Sequence, residues 1–197
     1  MNKTLRLTVA LAAAAGLALA AAPAHATGGS APSGTIVDVA VGASGGGTPD
    51  GNPWDYDLLV QAVVATGLDA TLADTSTAYT VFAPNDRAFL RLVEDLTGSR
   101  PSSEADALAA ITSTFTTDQI TTILLYHVVP GQKLGPIRVI TSKSLTMADG
   151  GTIQPRGITL RDESPALKDP KLVPWAIGIP ATNGVIHTID RVLVPAL

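Results

Sequence analysis

Residues 79–89 read YTVFAPNDRAF and predict a strand followed at once by a helix. Tyr79–Phe82 are β-branched or aromatic, and Pro84 ends the strand because proline cannot donate to a sheet ladder. Asn85 is a favourable helix cap, and Phe89 opens an apolar stripe that packs the helix back onto the strand. This unit therefore predicts a core made where a helix covers a short strand.

The sequence on either side predicts mainly helices in the first half of the chain and strands in the second. Thr116 and Gln119 form a capping box, which marks the start of one of these helices. The predicted helical segments are Asp55–Gly67, Leu68–Leu72, Ser103–Ile111 and Thr117–Tyr126. The predicted strands are Val128–Val129, Ser144–Met147, Thr152–Gln154, Gly157–Arg161, Trp175–Ile179 and Val185–Val194. Helices followed by strands favour an α+β fold over a parallel βαβ sheet.

The composition excludes several classes of protein. The chain has 197 residues, of which 46% are apolar, 15% are charged and none is cysteine. Without cysteine there is no disulfide framework, no thiolate zinc site and no cysteine nucleophile. The net charge of −4 argues against a nucleic-acid partner, because a phosphate-binding surface needs clustered Lys and Arg.

The N-terminal segment has the pattern of a secretory signal. A basic start is followed by an apolar run from Leu7 to Ala22 and by Ala24-His25-Ala26, a small-residue cleavage pattern. The run has 16 residues, fewer than the roughly 20 needed to span a bilayer. We expect residues 1–26 to be a signal peptide, residues 27–34 to be a flexible leader, and the protein to be secreted without membrane insertion.

One stretch matches a catalytic motif without its structural context. Gly42-Ala43-Ser44-Gly45-Gly46 satisfies the G-x-S-x-G pattern of a hydrolase nucleophile elbow. The glycines and prolines that follow exclude the helix that such an elbow needs. Residues 42–52 are therefore predicted to be a glycine-rich linker or insertion.

The titratable residues offer no site with recognisable spacing. Asp50, Asp55 and Asp57 lack the glycine and terminal glutamate of a calcium loop, so we interpret them as solvated carboxylates that open a helix. His127 and His187 are too far apart in sequence for the short ligand spacing of a zinc helix. We predict no catalytic, metal or cofactor site.

Three segments together resemble the fasciclin, or FAS1, family. Residues 79–89 resemble its H1 motif, Leu124–Gln132 (LLYHVVPGQ) its Tyr-His motif, and Ala181–Pro195 (ATNGVIHTIDRVLVP) its H2 motif, in the family's order. Residues 35–41 (TIVDVAV) and 58–72 (LLVQAVVATGLDATL) resemble its N-terminal helical stretch. The resemblance covers Thr35 to Pro195.

The resemblance implies the FAS1 α+β fold, a β-sheet wedge or sandwich with a helical N-terminal half. One FAS1 domain then covers residues 35–197, residues 42–52 are an insertion inside it, and Ile36–Val41 are helical. The implied function is a secreted extracellular adhesion or protein-binding module without catalysis or a cofactor.

Tyr126 and His127 are the candidate partner-binding residues, because the family's Tyr-His region is implicated in integrin contact in animal members. The alternative is a buried, hydrogen-bonded pair with a structural role. Animal members that bind integrins carry Asp-Ile just before H2, and the matching place here is Gly178-Ile179, so integrin recognition does not carry over. His187 is interpreted as structural, and Asn183-Gly184 as a turn that admits positive φ.

The expected partner is an extracellular protein or a cell-surface or matrix component. Two other functions stay open: a carrier of a small apolar ligand, which would need a large apolar cavity, and a secreted hydrolase. Oligomeric state is not predicted from the sequence.

Overall fold

The computed structural model describes residues 32–196. The predicted signal peptide at residues 1–26 and most of the predicted leader lie outside the described residues. No helix within the described range is both long enough and apolar enough to cross a membrane.

The helices begin and end at residues whose local chemistry explains their bounds. Asn85 accepts a hydrogen bond from the Ala88 N–H, and Gly98 ends the same helix with φ 75°. Thr35 and Asp38 form a capping box, so Ile36–Val41 is helical as the resemblance implied. The helices are α1 Ile36–Ala43, α2 Asp57–Ala65, α3 Asp69–Leu72, α4 Asp86–Thr97, α5 Glu104–Thr114, α6 Thr117–Leu125 and α7 Pro136–Thr141.

The strands form a four-stranded and a three-stranded sheet. They are β1 Tyr79–Pro84, β2 Val128–Pro130, β3 Leu145–Thr146, β4 Thr152–Arg156, β5 Thr159–Arg161, β6 Leu172–Ala181 and β7 Gly184–Ile189. The first sheet has the order β2-β1-β7-β6, and the second the order β3-β4-β5. Strand β1 pairs with β7 in parallel, whereas the other pairings are antiparallel. The α+β class and the helical N-terminal half are confirmed.

Strand β1 is buried on both faces and separates two hydrophobic clusters. Val81 and Ala83 pack in the cluster that contains most of the buried helical residues, whereas Phe82 packs in the other. The second cluster includes Ile153 and Leu160 of the smaller sheet. The four-stranded sheet therefore has a helical layer on one face and the three-stranded sheet on the other.

The turn before β7 differs from its prediction. Gly184 does not have positive φ, and no non-glycine residue in the described range does. Glycine is needed for space, because a Cβ at residue 184 would lie 2.5 Å from the Tyr79 carbonyl oxygen and would collide with the Ile36 side chain. Asn183 is buried, accepts a hydrogen bond from the Ile36 N–H (2.9 Å) and donates to the Leu72 carbonyl (2.7 Å), which ties the turn to α1 and α3.

Candidate functional site

Tyr126 follows the last residue of α6 and lies wholly in the interior. Its hydroxyl donates to the Thr152 carbonyl (2.7 Å) and accepts from the Glu163 N–H (3.1 Å). Burial and the nearby Glu163 carboxylate raise the pKa of this phenol, which therefore stays protonated. The side chain links α6 to β4 and to the loop after β5.

His127 is also buried, and both of its ring nitrogens have partners. The Leu193 N–H donates to Nε2 (3.0 Å), so Nδ1 carries the proton and donates to the Ile123 carbonyl (2.6 Å). Burial lowers the pKa of this imidazole to about 4, and at neutral pH the ring is uncharged. The histidine joins the end of α6 to the segment that follows β7.

A polar cleft is bordered by Glu163, a hydrogen-bond partner of Tyr126. It has a volume of about 770 Å³ and is lined by charged residues of both signs, including Arg91, Arg161, Glu163 and Lys168. Glu163 lines the cleft and also donates its N–H to the buried Tyr126 hydroxyl. A molecule in the cleft would touch the loop around Glu163 and not Tyr126 itself. The assignment of Tyr126 and His127 to partner binding stays a prediction, and the geometry favours an indirect role for both.

His187 is fully buried in β7 and is hydrogen-bonded at both nitrogens. Nδ1 accepts from the Gly178 N–H (3.2 Å), Nε2 lies 2.8 Å from the Leu134 carbonyl, and the ring stacks on Phe82 at 5.8 Å. These contacts agree with a structural histidine. Gly178 has φ 73°, and a Cβ there would lie 3.0 Å from Pro136 Cγ, so this position cannot hold an aspartate without strain.

Two tryptophans form an exposed pair that the sequence patterns did not indicate. Trp54 and Trp175 are 51% and 77% exposed, and their ring centroids lie 6.4 Å apart with the planes at 64°. The Arg87 guanidinium carbon lies 5.0 Å from the Trp54 ring centroid, which is a cation–π contact. We call these three side chains the tryptophan face. Trp54 and Trp175 are 121 positions apart in the sequence, so only the fold brings them together.

The apolar space between the helices is small. A cavity of about 190 Å³ is lined by apolar residues of α2, α4, α5 and α6, including Leu58, Phe89, Ile111 and Leu124. Ligand pockets usually measure about 300–1,000 Å³. The carrier function therefore has weaker support in the structure than a binding surface has.

Ser44 and the aspartates near it have different surroundings from those expected. Ser44 is buried, and its hydroxyl donates to the Ala40 carbonyl (2.8 Å) and accepts from the Tyr56 N–H (3.2 Å), so it is not displayed as a nucleophile. The interpretation of the neighbouring aspartates as solvated is wrong for Asp55 and Asp57, because both are buried.

The motifs at β1, at the end of α6 and at β7 place their central residues in the interior, and their arrangement agrees with a known domain. The sequence model of the Fasciclin domain matches residues 55–195. The chain belongs to the fasciclin family. The FAS1 domain accordingly covers at least the matched range, which includes all of the strands.

Relatives in the family come from bacteria and animals. Protein sll1483 of Synechocystis is 29% identical over 163 residues, which cover 83% of this chain and 74% of that protein. The immunogenic protein MPB70 of Mycobacterium bovis is 32% identical over 63% of this chain. The transforming growth factor-beta-induced protein ig-h3 of Sus scrofa is 30% identical over 83% of it. The match spans 54% of MPB70 and 20% of ig-h3.

A solved structure has the same fold. The FAS1 domain pair of the insect cell adhesion molecule Fasciclin I superposes with a TM-score of 0.56 at 16% identity, covering 83% of this chain and 51% of that chain. This likeness establishes the FAS1 fold.

Proposed function

We propose that this chain is an extracellular, non-catalytic FAS1 binding module that docks a partner protein through the tryptophan face. The observation that supports the proposal is the pairing of two largely exposed indoles with an arginine on the surface. Trp and Arg are the residue types most enriched among the residues that dominate protein-binding energy. An extracellular role is supported by the predicted signal peptide and by the shared fold of Fasciclin I, an insect cell adhesion molecule.

The backbone beneath the tryptophan face presents Trp175 outward. Trp175 lies in β6, the edge strand of the larger sheet, between Leu172 and Ile177, where the register with β7 shifts. Such a bulge bends an edge strand and re-aims its side chains. The irregular edge therefore displays the indole and opposes the regular pairing that would lead to sheet aggregation.

We also propose that residues 35–197 form one domain with residues 42–52 as an insertion. Helix α1 contacts α2, α3 and β7, and Asn183 holds the first N–H of α1. The insertion is held by the fold as well, since Gln61 donates to the Gly47 carbonyl (2.7 Å). Tyr126 and His127 have an indirect, structural role in this proposal, because their hydrogen bonds hold segments that border the polar cleft, whose lining includes no residue of the tryptophan face.

The proposal is tested by comparing three alanine variants in binding. The purified protein is used as bait for cell-surface and matrix fractions, and each captured protein is then titrated directly against the wild type and the variants. We expect Trp175→Ala and Trp54→Ala to weaken binding more than tenfold, because a central interface tryptophan contributes about 2 kcal/mol or more.

Ile137→Ala is the matched control. Ile137 is 73% exposed, so its truncation removes a similar exposed apolar side chain from α7 without touching the tryptophan face. All three variants should unfold at the wild-type temperature. Equal binding by the wild type and both tryptophan variants would contradict the proposal, as would binding to a soluble polysaccharide with no protein partner.

A further inference from the structure

Five carboxylates from four separate places converge beside α2. Asp50 and Asp55 precede the helix and Asp57 begins it, whereas Asp86 begins α4 and Glu104 begins α5. One oxygen from each of Asp50, Asp55 and Asp57 lies within 4.8 Å of the others, and the same holds for Asp57, Asp86 and Glu104. Asp57 belongs to both groups and is the centre of the cluster.

The central carboxylate has no hydrogen-bond partner within residues 32–196. Asp57 is 0% exposed, both of its carboxylate oxygens are unpartnered, and Oδ1 of Asp55 is buried and unpartnered too. A buried charged group without a partner is strongly unfavourable, so buried carboxylates are normally hydrogen-bonded, paired with a cation side chain or bound to a metal. The three free oxygens therefore point to a missing cation.

The remaining carboxylates are held by backbone donors. Asp86 accepts from the N–H groups of Asp57 (3.1 Å) and Leu58 (2.9 Å), and Glu104 accepts from those of Asp50 (3.1 Å) and Gly51 (3.0 Å). These bonds fix the loop on one side and the start of α2 on the other. The cluster is thus preorganised before any ligand binds.

Within the described residues, no basic side chain forms an ion pair with the cluster. The ion pairs found between residues 32 and 196 join Arg91 to Asp190, Arg100 to Glu94 and Arg191 to Asp95, and none of them reaches the five carboxylates. Burial, together with the charges of Asp55, Asp50 and Glu104, raises the pKa of Asp57 to about 6. Burial and the adjacent Asp55 raise the pKa of Asp86 as well, to about 8, so this carboxyl is protonated at neutral pH and a cation that binds beside it competes with protons.

We propose that Asp50, Asp55 and Asp57 bind a divalent cation of the Ca²⁺ type, with Asp86 and Glu104 forming the opposite wall of the site. Ca²⁺ binds carboxylate oxygens at about 2.3–2.6 Å, so two ligands on opposite sides of the ion are separated by up to about 5 Å. The oxygens lie within 4.8 Å of one another, which is compatible with this separation. Asp50 is exposed and provides a route for the ion from solvent, with water completing the coordination.

The proposal is independent of partner binding and is tested by thermal unfolding of the purified protein. Protein stripped with a chelator is titrated with CaCl₂, and MgCl₂ is titrated in parallel. At a hundredfold excess of Ca²⁺ over its dissociation constant we expect the unfolding temperature to rise by about 5–10 °C. Mg²⁺ should give a smaller rise, because it demands near-ideal octahedral geometry and gives up its waters reluctantly.

Asp57→Asn is the decisive variant and Asp118→Asn the matched control. The oxygens of Asp57 make no hydrogen bonds that the substitution would break, so the variant should fold. It should lose the Ca²⁺-dependent rise, whereas Asp118→Asn, an exposed aspartate on α6, should keep it. The proposal is overturned by a wild-type unfolding temperature that is the same in Ca²⁺ and in chelator, or by an equal rise in both variants.

Discussion

Replacing Tyr126 by Phe removes one oxygen atom from the interior and leaves the ring in place. That oxygen donates to the Thr152 carbonyl and accepts from the Glu163 N–H. A typical intramolecular hydrogen bond contributes about 0.5–1.5 kcal/mol net, so losing two predicts a loss of about 1–3 kcal/mol. For a domain of this size the unfolding temperature should fall by about 2–4 °C for each kcal/mol.

The assay is equilibrium unfolding in urea followed by far-UV circular dichroism, together with partner titration on the same samples. We expect the midpoint to fall with an unchanged slope, since the substitution does not alter the surface that unfolding exposes. Affinity measured well below the unfolding transition should change by less than about threefold, because the phenol is buried and an effect below about 1 kcal/mol is expected of a residue outside the contact.

The opposite result would refute this reasoning. A variant that unfolds with the wild-type midpoint yet loses its partner would show that the Tyr126 hydroxyl contacts the partner directly. His127→Ala extends the test, because it removes the bonds to Ile123 and Leu193 and leaves a cavity as well. It should be more destabilising than the phenylalanine variant by the cavity contribution.

Two further predictions concern the turn before β7 and the acidic cluster. Gly184→Ala should destabilise the fold by about 1–3 kcal/mol or more, because the added Cβ collides with Ile36 and with the Tyr79 carbonyl. Urea unfolding measures this loss. A variant with wild-type stability would contradict the packing explanation. In chelator, the pKa of Asp57 in the folded protein is about 6, above the value of about 4 for an aspartate in the unfolded chain. The protonated carboxyl therefore stabilises the fold fully below about pH 4, and this stabilisation is lost as the pH rises through about 6. The wild type should therefore lose stability relative to Asp57→Asn over this interval, and parallel pH profiles of the two would exclude the shift.

The sequence predicted those parts of the fold that depend on neighbouring residues. Asn85 and the Thr116–Gln119 capping box mark helix starts through contacts within a few positions, and each lies where predicted. The six predicted strand segments overlap β2 to β7 for the same reason, because short apolar runs bounded by Gly and Pro are local signals. Helix α7 was missed, since six residues give too little periodicity to detect.

Contacts between distant segments could not be predicted in this way. The parallel pairing of β1 with β7 joins Tyr79 to Gly184, and the acidic cluster joins Glu104 to Asp50 across 54 positions. The sequence analysis interpreted the aspartates at the start of α2 as solvated, because no residue near them in the sequence indicates that they are buried. Only the fold brings Asp86 and Glu104 against them and excludes water from Asp57.

The buried residues of the three family motifs and the two exposed tryptophans occupy different parts of the molecule, although Arg87 of the first motif reaches the Trp54 ring. Phe82, Tyr126 and His187 are all buried, so they determine the FAS1 scaffold and are poor candidates for choosing a partner. Trp54 belongs to the loop that joins the insertion to α2, and Trp175 to the irregular edge strand, where substitutions change the surface without altering the core. Family membership therefore explains how the chain folds, whereas partner recognition must be sought in the segments that the core constrains least.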